Sequence, residues 1–188
     1  MSSPPFAPAL GLFELESLAR GLFVADAILK RAAVDIVVGE PVTPGKYLLI
    51  FVGREAEVAE SFQAGLEAGG DRVLDSLHLP HMAEAVMAAL LRNEVGTPAA
   101  DEALGVIEFH TVGATLKAAD LAVKHAQVRL THLQLAKGIG GKGWFTVAGT
   151  QHDVEAALDS ALASSPASLV AGTELIARPH GDLRRSIG

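Results

Sequence analysis

The chain has 188 residues, with 22 acidic against 15 basic side chains, a formal net charge of −7 and no cysteine. The lack of cysteine excludes disulfides, thiolate chemistry and cysteine-ligated zinc or iron–sulfur clusters, and it fits a cytosolic protein. There is no basic tract, and aromatics are limited to one Trp, one Tyr and seven Phe, which argues against nucleic acid as the main partner.

The charge is uneven: residues 1–97 carry 13 acidic and 7 basic side chains, and the remainder carries 9 and 8. Composition is 49% hydrophobic with a mean hydropathy of +0.33. That is high for a small soluble monomer and implies apolar surface covered by subunit contacts. No run of ~18 apolar residues predicts a membrane span. The start, Met-Ser-Ser-Pro-Pro-Phe, lacks a basic region followed by an apolar run, so no signal peptide is expected.

Residues 1–8 contain Pro and Ser, and a loose tail is expected there. Residues 9–15 read as a buried strand. Ser17 is placed to cap a helix to about residue 31, with Leu18, Leu22, Ala25 and Leu29 on its apolar face. Residues 35–38 form a short β-branched strand. The stretch 40–46, EPVTPGK, holds two prolines and a glycine, so no regular element is expected in it. Residues 47–52 are strand-like. Residues 55–69 read as a helix with Val58, Phe62 and Leu66 on its apolar face, and 73–79 as a last strand. The order β-α-β-β-α-β predicts a split sheet with helices on one face. A further helical run covers 81–93, through Met82, Val86, Ala89 and Leu90, and 94–101 reads as a linker.

The opening stretch is then written a second time. ALGLFELESLARGLFVADAILKRAAV begins at Ala9 and ALGVIEFHTVGATLKAADLAVKHAQV at Ala103. A shift of 94 residues superimposes Glu14 on Glu108, Leu22 on Leu116, Asp26 on Asp120, Lys30 on Lys124 and Val34 on Val128. Helical composition alone does not hold Gly, Glu, Asp and Lys in one register, so the chain is an internal duplication of two domains, each of about 90 residues. The second copy repeats the order: strand 104–109, helix 112–126, strand 128–135, loop 138–143, strand 144–148, helix 152–162 and strand 169–177. After Arg178-Pro179-His180 there is room for only a stub of terminal helix. Between the copies the register drifts by two, since Gly45-Lys46 meets Gly141-Lys142 and Gly53 meets Gly149. Two extra residues therefore lie in or just before the second loop.

Gly138, Gly140 and Gly143 fit the spacing G-x-G-x-x-G. A dinucleotide fingerprint, however, ends a strand and opens a helix, whose N-terminus holds the pyrophosphate. Here the loop links two strands. Nor is it a Walker loop, because Lys142 is followed by Gly143 and the earlier glycine position is Ala136. Nucleotide binding is not expected. A glycine-dense hairpin does allow close approach of backbones. Around a symmetry axis several such loops converge and leave a small opening. Both copies place Gly-Lys at the same point, at Lys46 and Lys142, and Pro41 and Pro44 stiffen the first loop.

No catalytic constellation is present. The seven histidines include no H-x-x-x-H on a helix, and His78 with His81 lacks a third ligand, so no metal is expected. Glu14 and Glu108 sit in the first strand of each copy and are candidates for ion pairs. No nucleophile elbow occurs. Lys30 and Lys124 lie late in the first helix of each copy, where the dipole favours a cation.

The segments ALG-x-x-E, the downstream Ala-Asp…Lys, the glycine loop and the terminal Arg-Pro-His resemble the shell protein domain of bacterial microcompartments. Two copies in one chain resemble the tandem-domain class, which forms trimers that imitate the single-domain hexamer. The resemblance covers residues 9–97 and 103–182 as two shell domains. It implies an α/β (α+β) fold, a duplicated β-α-β-β-α-β unit with helices on one face of each sheet. It also implies a structural rather than enzymatic role: a homotrimer forming a flat tile in a shell in the cytoplasm. Neighbouring tiles, including single-domain hexamers and pentamers, would be the partners, and some relatives stack face to face as two trimers. The family's central pore loops correspond to Thr43, Pro44, Gly45 and Lys46, and to Gly140, Gly141, Lys142 and Gly143. Its tile-edge positions correspond to Lys30, Lys124, His81, Arg178 and His180, with Leu79 departing from the family's Arg. Some tandem relatives hold an iron–sulfur cluster on a pore cysteine; with none here, no cofactor is implied. Others have wide, gated pores, and the first loop and the Gly-Lys pairs look like that group. If Lys46 and Lys142 face the opening, the ring is positive and favours anionic metabolites in transit. A trimeric small-molecule-binding or sensing module on the same duplicated unit is the alternative.

Overall fold

The alternation of strand-forming and helix-forming segments is realised twice. The computed structural model describes residues 9–187; the tail expected over residues 1–8 lies outside the described residues. The first repeat runs β1 (Ala9–Leu15), α1 (Leu18–Arg31), β2 (Asp35–Val42), β3 (Lys46–Gly53), α2 (Glu55–Gly69) and β4 (Val73–Leu79). Helix α3 (Glu84–Arg92) follows. The second repeat runs β5 (Ala103–Phe109), α4 (Val112–His125), β6 (Arg129–Leu135), β7 (Gly143–Gly149), α5 (Gln151–Ala163) and β8 (Val170–Ile176), with α6 (Gly181–Ile187) at its end. The chain divides after Met82 into two units. Helix α3 is part of the second, where it packs on α4 and β6.

Each unit holds one four-stranded antiparallel sheet, ordered β2-β3-β1-β4 in the first and β6-β7-β5-β8 in the second. The duplication extends to irregularities. A register shift falls between Ile36 and Val38 in β2 and between Leu130 and His132 in β6. Another follows Glu14 in β1 and Glu108 in β5.

Strand β1 is buried at every position, as its apolar sequence requires. Phe13 and Leu15 join Val24, Ile28, Tyr47, Leu49, Phe51 and Val58 in the core of the first unit. Burial of each large apolar side chain contributes about 1.5–3 kcal/mol. Helices α1, α4 and α5 begin where a hydroxyl accepts an orphan N–H: Ser17 caps Arg20, Thr111 caps Ala114 and Thr150 caps Asp153. Buried Ser61 of α2 donates to the Ile28 carbonyl of α1 at 3.1 Å, joining the two helices.

The repeats differ in one packing detail. In the first unit Gly21 of α1 lies under the Tyr47 ring of β3, where a Cβ would fall 2.2 Å from the ring. In the second unit the sizes are exchanged. Thr115 occupies the helix position, and a Cβ on Gly143 of β7 would fall 2.3 Å from its Oγ1.

Three expectations need correction. The face of α1 that meets the core is Gly21, Val24, Ala25 and Ile28; of the expected stripe only Ala25 is buried, and Leu18, Leu22 and Leu29 point outward. The helix carries two apolar stripes, and periodicity alone does not say which turns inward. Second, residues 40–42 are not irregular. Strand β2 continues through Gly39, Glu40 and Pro41 to Val42, with Pro41 opposite Tyr47. β2 is an edge strand, where a missing N–H costs no ladder bond. Third, α3 starts at Glu84 rather than at residue 81, and it ends with Asn93 in the left-handed conformation at φ 54°.

Candidate functional site: the two hairpin loops

The loops expected to face an opening connect equivalent strands. In the first unit the link between β2 and β3 is only Thr43, Pro44 and Gly45. All three are exposed, the Thr43–Pro44 bond is cis, and the Gly45 N–H donates to the Val42 carbonyl at 2.9 Å. Gly45 has φ 121°, which only glycine adopts without strain. In the second unit the link between β6 and β7 spans 136–142. The Ala136 N–H donates to the Lys142 carbonyl at 2.7 Å and so continues the ladder. The five residues 137–141 therefore occupy the place of Thr43, Pro44 and Gly45, and the two extra residues sit within the turn itself. Gly138, Gly140 and Gly141 all have positive φ. No helix follows the loop, since β7 begins at Gly143.

The two lysines do not stand as bare cations. Lys46 Nζ lies 2.8 Å from Glu14 Oε2, and that carboxylate is only 1% exposed. Lys142 Nζ lies 3.1 Å from Glu108 Oε1, in a pair whose two side chains are each more than a third exposed. The recurrence of Gly-Lys thus coincides with a recurring ion pair between the loop base and the first strand of each repeat. Each ammonium carries its own carboxylate, so the argument for an uncompensated positive ring falls away.

Of the residues assigned to the loops, Thr43, Pro44, Gly45 and Gly140 are exposed. Lys46 and Lys142 are partly covered by their pairing, Gly141 is buried, and Gly143 is buried in β7 against Thr115. Sequence reasoning missed the tether of the longer loop. Trp144 Nε1 donates to Gln134 Oε1 at 3.2 Å, and Gln134 Nε2 donates to the Lys137 carbonyl at 2.8 Å. Trp144 also stacks on His132, with ring centroids 4.3 Å apart. The signal was there in alternating polar residues, His132 and Gln134, flanking a lone Trp in the partner strand.

The other assigned positions are all exposed. Lys30 bonds Asp26 and Lys124 bonds Asp120, each at 2.6 Å. His81 Nε2 lies 3.8 Å from Glu55, and His180 Nδ1 lies 3.5 Å from Asp182. Arg178 is exposed beyond the end of β8. Among the described residues no group of three or more His, Asp or Glu side chains could hold a metal ion. No described helix is long and apolar enough to cross a membrane.

Comparison with known proteins agrees with this geometry. The BMC domain model matches residues 9–82 and again 103–179. A bacterial microcompartment shell protein of Citrobacter freundii, PduT, is 36% identical over 180 residues, covering 95% of this chain and 97% of that protein. A crystal structure of a microcompartments protein from Desulfitobacterium hafniense DCB superimposes with a TM-score of 0.83 at 35% identity, over 95% of this chain and 98% of that one. The fused permuted hexameric shell protein of the RMM microcompartment gives 0.64 at 26% identity, over 87% and 83% of the two chains. Two matched domains in a single chain, each with its own sheet and its own glycine-bearing hairpin, place this protein in the BMC-domain family of bacterial microcompartment shell proteins, as a tandem-domain member.

Proposed function

We propose that the chain contributes two shell domains, residues 9–97 and 103–182, to a trimeric tile of six domains around a central pore. The pore is rimmed by the tips of both loops, Thr43, Pro44 and Gly45 with 137–141, and small metabolites pass through it. One observation carries the reading: each repeat presents an exposed, glycine-bearing hairpin tip at the equivalent point of its own sheet, with an ion-paired lysine at its base. Lys46, Lys142, Gly141 and Gly143 then support the rim from behind. Opening and closing of the pore falls to the longer loop, whose three positive-φ glycines leave its backbone the greater freedom.

Lys30, Lys124, His81, Arg178 and His180 are proposed as edge contacts to neighbouring tiles in the shell, single-domain hexamers and pentamers among them; face-to-face stacking of two trimers is tested by a doubled mass in solution. The tile itself is tested by native mass and by electron microscopy of concentrated protein, where three-chain particles with hexagonal outline are expected. The pore is tested by shortening 137–141 to three residues and measuring entry of a small substrate into shells loaded with its enzyme. The expected result is a changed entry rate with the shell intact; an unchanged rate would remove the loop from the pathway.

A further inference from the structure

The two repeats carry different chemistry where their first helices begin. A shift of 94 residues sets Arg20 on Ala114 and Phe23 on Lys117. Strand register sets Arg72 on Leu169, because Leu15 pairs with Val73 where Phe109 pairs with Val170. The backbone agrees: the Glu16 N–H donates to the Arg72 carbonyl, and the His110 N–H donates to that of Leu169. The first repeat thus gathers two guanidiniums and an aromatic ring where the second has Ala114, Leu169 and a lysine.

Arg20, Phe23 and Arg72 line an open cleft of about 420 Å³, together with Ser17 and Ala19. That volume suits a small ligand. Phe23 is 58% exposed, so its ring is an apolar surface offered to solvent.

Most lysines and arginines of this acidic chain face a carboxylate, as Arg31 faces Glu60 and Arg54 faces Glu57. Arg20 does not. Its Nη1 donates to the Ala68 carbonyl, in the last turn of α2, at 2.9 Å. Its guanidinium lies over the Phe23 ring, 5.4 Å from the centroid. Among the described residues no acidic side chain pairs with it. The carbonyl and the ring fix the group while leaving its charge and the rest of its N–H fork open. Arg72 is different: Nη1 lies 3.0 Å from Glu16 and Nε 3.6 Å from Asp71. It brings donors to the cleft wall, and Arg20 brings the net charge. A guanidinium already fixed loses little freedom on binding, and its planar fork matches the oxygens of a carboxylate or phosphate.

We infer that this cleft binds a small organic oxyanion, a carboxylate or phosphate on an aromatic or aliphatic body. The oxyanion meets Arg20, with Arg72 as a second donor, and the body lies against Phe23. The site is built within the first unit of one chain, so it does not depend on the trimer. Leu15, just before Glu16, pairs with Tyr47, the residue after Lys46 at the base of the short loop. The cleft therefore lies at the loop end of its sheet. Under the pore reading, a ligand held there waits beside the opening.

The test titrates phenyl phosphate, benzoate, inorganic phosphate and phenol into the whole chain by calorimetry, with circular dichroism to confirm folding. Saturable binding of phenyl phosphate or benzoate at one site per chain is expected, at least about tenfold tighter than inorganic phosphate or phenol. The tighter of the first two identifies the oxyanion. Arg20→Gln keeps a donor for the Ala68 carbonyl but removes the charge, and should weaken binding about tenfold or more. Phe23→Ala should bring phenyl phosphate down to the level of inorganic phosphate. Lys117→Ala, at the matching position of the second repeat, should change nothing. No saturation by any of the four probes up to about 10 mM overturns the inference. So does a second site per chain, or binding that survives either cleft substitution. If Arg20→Gln fails to fold, Phe23→Ala, at an exposed position, decides alone.

Discussion

Gly21 of α1 lies directly beneath the ring of Tyr47, and 94 residues later the helix carries Thr115 while the facing strand carries Gly143. Volume has moved from strand to helix with the gap kept full, as close packing demands. Gly143→Tyr is expected to overpack against Thr115 and to cost about 1–3 kcal/mol. Adding Thr115→Gly recreates the arrangement of the first repeat and should recover most of that loss. Urea midpoints of the two single variants and the double variant measure the coupling; simple additivity would mean the two sites are independent.

The two ion pairs differ in burial, and so should their worth. Lys46→Met leaves the buried Glu14 carboxylate without its lysine, a loss of about 3 kcal/mol for a broken buried pair. Lys142→Met removes the partner of a carboxylate that stays in contact with water, and about 1 kcal/mol or less is expected. Added salt should narrow the second loss more than the first. Equal losses would contradict this ranking.

Thr131 and Thr146 share a hydrogen bond of 2.6 Å between buried hydroxyls. The counterparts in the first repeat are Val37 and Ile50. Thr146→Ile alone strands the Thr131 hydroxyl, at a cost of about 1–3 kcal/mol. Thr131→Val together with Thr146→Ile copies the apolar pair and should be markedly less damaging than the single change. Thermal midpoints read the comparison.

Tyr47 is the only tyrosine, and its phenol is pushed above its ordinary value of 10.0, first by burial and then by the Glu40 carboxylate. The folded chain therefore keeps this proton at a pH where the unfolded chain has lost it. The contribution to stability is whole below a pH of about 10 and declines as pH rises through the folded value. Tyr47→Phe has no such proton and should lose less stability over the same alkaline range. Phenolate absorbance against pH gives an independent check, since the midpoint must lie above that of the unfolded chain.

Most of the fold was legible because the chain states it twice. Ala9 and Ala103 open the same pattern, and Ser17 and Thr111 mark the same helix start. What stayed hidden depends on neighbours far along the chain. Leu22 and Ile28 are equally apolar, and only the sheet beneath α1 decides that Ile28 turns inward. Pro41 reads as a strand breaker until β2 is known to be an edge. At the loops, Gly-Lys was visible, and so were Glu14 and Glu108. That each lysine meets its own glutamate required the pairing of β1 with β3 and of β5 with β7.

The bare stripe along α1 has a consequence during synthesis. Leu18 and Leu22 emerge from the ribosome before the rest of the repeat that follows them, and among the described residues both stay about half exposed. Until another molecule arrives, that stripe is available to any sticky neighbour. Soluble yield should therefore improve when chains meet promptly and suffer when translation is sparse or chaperones are saturated.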